Sequence, residues 1–158
     1  MTSRAALAII SFVWMPVLPA QKADEPEIQR MNPAALPKLD YLTHVTKVKN
    51  GKNFVHIAGQ TAINTKWEIV GKTVTEQADE ALKNLDFALQ AGGAQKEDIV
   101  RLTVLFVDGD GTAAKTVTSK IKGYFKAVPL PAITYLGVPK LVGDGLFVEI
   151  EGLAVVRK

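Results

Sequence analysis

Cysteine is absent from this chain of 158 residues. That excludes disulfides, a thiolate nucleophile and cysteine-ligated zinc at once. Histidine is nearly absent too, with two residues, His44 and His56, twelve positions apart. No acid close in sequence completes a metal-ligand set around them, so the pair is not read as a metal site. Positive charge is not concentrated: 19 basic residues against 16 acidic ones leave a formal +3, with no run of five or more basic residues and no basic-aromatic stripe. Nucleic acid is therefore not the expected partner. Long apolar runs are missing outside the first twenty residues, and there is no internal repeat or low-complexity segment. With 47% hydrophobic and 22% charged residues, the composition is that of one ordinary globular domain.

The first twenty residues stand apart. Arg4 gives a short positive start, Ala5 to Trp14 is an unbroken apolar or small-residue run, and Pro16 and Pro19 precede Ala20. This is the pattern of a secretory signal peptide over residues 1–20, with cleavage after Ala20 or Ala23 and a secreted or periplasmic product. The alternative is an uncleaved membrane anchor, but the run is short of the roughly 20 residues a spanning helix needs. Residues 21–38 hold Pro26, Pro33 and Pro37 among charges and read as an extended leader, with order beginning near Leu39.

From Leu39 the domain 39–158 begins. Tyr41 to Val48 alternates with strand period, Asn50-Gly51 is a two-residue hairpin signal, and Asn53 to Ala58 reads as the returning strand. Trp67 to Val70 suggests a third strand. Ala78, Ala81, Leu82, Leu85, Ala88 and Leu89 then follow helical spacing, opened by a Thr73/Glu76 capping box and closed by Gly92-Gly93. Ile99 to Val107 is so continuously apolar that burial on both faces is expected. Ala114, Val117, Ile121, Tyr124 and Phe125 mark a second helix, and Ala132 to Val138 and Leu146 to Val156 two more strands. The pattern is an α+β layer: a mixed six-stranded sheet with two helices on one face. Its other face needs cover, which points to self-association.

Several local motifs occur in this same order: Ile57-Ala58-Gly59-Gln60, the Ala81-Leu82-Lys83-Asn84-Leu85 helix, Ile99-Val100, Tyr124-Phe125, Pro131-Ala132-Ile133-Thr134 and Glu149-Ile150-Glu151. In combination they resemble the RidA/YjgF family of reactive-intermediate deaminases, over essentially the whole of residues 39–156. The resemblance implies a chorismate-mutase-like fold, a homotrimeric barrel, and small-molecule ligand clefts between neighbouring subunits. It further implies hydrolysis of 2-imino or 2-enamino acids to 2-oxo acids and ammonia without metal or cofactor. Some family members are described as endoribonucleases.

Carried over position by position, the resemblance makes Glu149 the residue that positions the attacking water. A strand-end carboxylate bound to backbone or solvent is the alternative, and Glu151 shares its face by strand period. Ile133 stands where the family has the arginine that grips the substrate carboxylate. Isoleucine offers none of the charge-assisted bonds such a pairing needs, so ordinary 2-imino acids are expected to bind and turn over poorly. Lys140, beyond the expected end of the strand, and Lys66, in a turn, are the cations considered to reach the cleft from a neighbouring subunit, and a merely solvated role suits both. His44 falls at a cleft-lining tyrosine position. Ala58 and Gly59 match small residues that let backbone approach a ligand. Thr118 and Tyr135 complete the expected ligand-binding set. A non-catalytic ligand-binding or chaperone-like trimer is the competing reading.

Overall fold

The computed structural model describes residues 25–109 and 111–156. The signal-peptide segment lies outside the described residues. Six strands and two helices follow the order β1 (Glu27–Met31), β2 (Val45–Lys49), β3 (Asn53–Thr61), α1 (Val74–Ala91), β4 (Ile99–Val107), α2 (Ala113–Tyr124), β5 (Ala132–Val138) and β6 (Val148–Val156), with a 3₁₀ turn at Lys96–Asp98. The chain is α+β, with a mixed main sheet: β4 and β5 run parallel and the other neighbours antiparallel.

The six strands do not form one sheet. Four make the main sheet in the order β3-β6-β4-β5, while β1 and β2 form a separate ribbon. The expected hairpin between β2 and β3 is thereby corrected. Asn50 does adopt the left-handed conformation, φ 56°, but the chain changes sheets across this turn. Val45–Lys49 pairs instead with Glu27–Met31 over five residues. Order therefore begins well before Leu39, because Pro26 and Pro33 flank a proline-free window just long enough for a strand. Arg30 ties the ribbon to the body by donating to the carbonyls of Glu97 and Ile99.

Trp67 to Val70 is not a strand either. Only one bridge, Ile63 with Ile69, is present. The Asn64 side chain accepts from the N–H groups of Lys66 and Glu68, offering the backbone a local partner in place of a ladder. Trp67, left at φ 64°, projects into solvent.

α1 begins as its sequence dictates. The Thr73 hydroxyl accepts from the Glu76 N–H while the Glu76 carboxylate accepts from the Thr73 N–H, and Gly93 at φ 70° provides the stop. Its apolar stripe, Ala78, Ala81, Leu82, Leu85 and Leu89, packs with Val117 and Ile121 of α2 against Ile57, Leu102, Val104, Phe106, Ile133, Val148, Ile150 and Ala154. Both helices thus cover one face of the main sheet. After the consecutively buried Ile99 and Val100, β4 is buried on that face only: Leu102, Val104 and Phe106 are enclosed, whereas Arg101 is exposed and Thr103, Leu105 and Val107 are half-buried. Continuous apolarity in β4 overstated its burial within one chain. Among the described residues, no helix is long and apolar enough to cross a membrane.

Candidate functional site

Strand period and register divide the candidate residues between the two faces of the sheet. Leu105 pairs with Glu149 and Thr103 with Glu151, so both carboxylates lie on the face away from the helices. Leu102 pairs with Ile133 and Val104 with Tyr135. Ile133 and Tyr135 consequently share the helix face, where Ile133 is 8% exposed and belongs to the core. Within one chain, Glu149 and Ile133 are separated by the sheet itself.

On the open face, β3 carries an irregularity between the pairs Ile57–Gly152 and Gln60–Ile150. Three steps along β3 match two along β6, so Ala58 and Gly59 form a bulge, a device that bends a strand and re-aims its residues. The Glu149 side chain fills the space this leaves: a Cβ built on Gly59 would lie 1.8 Å from Glu149 Oε1 and 2.6 Å from its Cδ. Only glycine lets the carboxylate rest there. Glu149 is half-buried while Glu151 is exposed, a distinction that strand period could not draw. Beside them lies a depression of about 430 Å³ bordered by His56, Ala58, Arg101, Thr103, Glu151 and Leu153.

The helix-face group is built differently. Tyr135 donates its hydroxyl to the Tyr41 carbonyl at 3.2 Å, and the two rings meet edge to face with centroids 6.0 Å apart. Burial, with the neighbouring Tyr41, raises the Tyr135 phenol above its ordinary range; the group is a neutral donor, not a base. The Tyr41–Thr46 segment is held along β5: Thr43 N–H donates to Pro131 O, Thr43 Oγ1 to Leu130 O, and the Ala132 N–H to Thr46 Oγ1. His44 lies on this segment, its Nε2 2.8 Å from the Pro37 carbonyl and its backbone N–H on Asn32 Oδ1. Its ring is engaged by the leader. Thr118 is half-buried on α2, next to the buried Val117. Lys140 pairs with Asp144 at an exposed loop.

Two supports went unread in the sequence. Gln77 is completely buried; its Nε2 donates to the carbonyls of Gly71 and Gly145 and its Oε1 accepts from the Phe147 N–H. It thereby fixes the chain two residues before Glu149. Asn84 donates to the carbonyls of Thr61 and Ile63, anchoring the end of β3 beyond the bulge. The available signal was a polar residue, Gln77, placed on the apolar stripe of α1. Among the described residues no group of three or more His, Cys, Asp or Glu gathers as a metal site.

A mixed sheet covered on one face by two helices, with a glutamate seated against a glycine bulge on the other, defines an α+β protein of the YjgF type. The chain belongs to the endoribonuclease L-PSP family, which it matches over residues 35–156. It is 36% identical over 102 residues to the 2-iminobutanoate/2-iminopropanoate deaminase of Mus musculus, spanning 64% of this chain and 73% of that one. The Escherichia coli deaminase of the same description is 32% identical over 107 residues, spanning 66% and 81%. Among solved structures, YyfB of Yersinia pestis, of the conserved Rid protein family, superposes with a TM-score of 0.75 at 27% identity, covering 82% of this chain and 98% of that one.

Proposed function

We propose that this chain is a secreted hydrolytic deaminase of imines or enamines, acting in a cleft shared between copies of itself in a homotrimer. The observation that carries this reading is the half-buried Glu149 carboxylate held against Gly59 on the uncovered sheet face. In the step proposed, Glu149 takes a proton from water as the water oxygen bonds to the imine carbon. It passes that proton to the imine nitrogen, giving a carbinolamine, and then carries the hydroxyl proton to the same nitrogen as the carbonyl forms and the carbon–nitrogen bond breaks, leaving a carbonyl compound and ammonia. The deaminase relatives support this chemistry. Because Glu149 and Ile133 occupy opposite faces, a site using both must draw them from different copies. His44, Thr118 and Tyr135 go with the Ile133 half, and Ala58 and Gly59 with the Glu149 half. Secretion rests on the Met1 to Ala20 pattern.

Ile133 is packed into the core but keeps 8% exposure, and in this reading that remaining surface sets the substrate preference. Without a guanidinium, a substrate carboxylate would lose its partner on binding, at a cost of about 1–3 kcal/mol or more for a charged group. Neutral imines and enamines with apolar substituents are therefore the proposed substrates. The test is ammonia release from a panel of carboxylated and neutral imines by the mature protein, with Glu149→Ala and Ile133→Arg alongside. Turnover of neutral imines that vanishes in Glu149→Ala supports the reading. Equal turnover of carboxylated imines by wild type and Ile133→Arg refutes the assignment of Ile133. The second reading, a non-catalytic ligand binder, is favoured by the packing of Ile133 into the core; it requires ligand retention in Glu149→Ala and no turnover in either protein.

A further inference from the structure

The uncovered sheet face carries two opposite charges on neighbouring strands. Arg101 of β4 pairs with Leu153, and Glu151 of β6 with Thr103. They are therefore diagonal neighbours, a placement of about 7–8 Å that long side chains can span. Both are exposed and border the same depression. Among the described residues, the ion pairs lie elsewhere: Lys49–Glu27 on the ribbon, Lys83–Glu80 and Lys120–Asp79 on the helices, Lys122–Asp40 between α2 and a loop, and Lys140–Asp144 on a loop. Around Arg101 and Glu151 the face mixes His56, Thr103 and Thr134 with Ala58 and Leu153, and continues into Leu105 and, on β5, Leu136 at 44% exposure. A charge pair open to water contributes little, whereas one enclosed by apolar surface discriminates strongly between right and wrong partners.

We propose that Arg101 of one copy of this chain pairs with Glu151 of the next, and that this pair sets the register in which the uncovered faces assemble. The inference rests on the homotrimer reading above. Charge complementarity selects the occupant. A face that presents both the cation and the anion, in no ion pair among the described residues and beside Leu153 and Ala58, is complementary to itself, so a second copy satisfies it without any further partner.

Charge reversal tests this on the full mature chain. Sedimentation velocity and native mass spectrometry would follow wild type, Arg101→Glu, Glu151→Arg, a mixture of the two single variants, and the chain carrying both reversals. Thermal melts would verify folding, since both side chains are exposed. Each single reversal is expected to raise the dissociation constant by at least about 30-fold, the effect of breaking an enclosed charge pair. The mixture is expected to assemble only in part, because a ring of three keeps one like-charged junction, whereas the doubly reversed chain is expected to recover assembly. Single variants that assemble like wild type would overturn the pairing while leaving the trimer reading intact. Failure of the doubly reversed chain, whose charges are again complementary between copies, to recover assembly also overturns it. A wild type that stays monomeric at every concentration removes the trimer reading and this inference together.

Discussion

Glu149 and Gly59 occupy each other's space: the carboxylate rests 1.8 Å from where a Cβ at position 59 would be. A methyl group there must push the carboxylate away. We expect Gly59→Ala to lower Glu149-dependent turnover by about 100-fold, the scale of a misplacement of roughly 1 Å. Glu149→Ala should remove about 10²–10⁴-fold. The substitutions should not add: in a chain already lacking the Glu149 carboxylate, Gly59→Ala should cost less stability than it does in wild type. A double-mutant cycle by chemical denaturation measures that coupling.

Gln77→Leu should be among the more damaging single changes. It preserves bulk but removes the partner that the buried Gln77 amide gives to the Phe147 N–H and to the carbonyls of Gly71 and Gly145. Each buried polar group left without a partner costs about 1–3 kcal/mol. A loss of about 2–4 kcal/mol in the unfolding free energy is expected on that basis, measured from the urea midpoint. An unchanged midpoint would show that water replaces the amide.

Ile133→Ala separates a core residue from a cleft wall. With 8% exposure and a place in the cluster beneath the helices, Ile133 should lose about 2–4 kcal/mol on truncation, as buried isoleucines do. A side chain lining an open cleft would lose far less. Thermal and urea unfolding of the purified variant decide between them.

The α1 capping box gives a pH dependence with a definite sign. The Glu76 carboxylate is held below its usual range, chiefly by the Lys72 N–H and also by Thr73. A depressed carboxylate contributes stability above its unfolded value and loses it as pH falls through the folded one. Glu76→Gln keeps an acceptor but removes the charge. Wild type should therefore melt above Glu76→Gln at neutral pH, and the gap should close as pH falls below about 4, the ordinary glutamate value. High salt should narrow the gap, because the site is exposed.

Much of the fold was legible because its signals are local. The Thr73/Glu76 box and the Ala78 to Leu89 stripe define α1 with no reference to the rest of the chain. Proline and glycine punctuation bounds β5 and β6. Strand period alone puts Glu149 and Glu151 on one face. The β2 partner was not legible, because Asn50-Gly51 specifies a turn and not which strand lies beyond it.

The sequence by itself determined the two helices and the succession of β3, β4, β5 and β6 along the chain. Periodicity, capping and residue identity are properties of neighbours along the chain. Only the tertiary structure decided that Glu149 would lean on the β3 bulge, that Gln77 would brace Phe147, and that Ile133 would turn towards the helices. Those outcomes depend on register between segments tens of residues apart, where a shift of one residue exchanges the two faces of a strand.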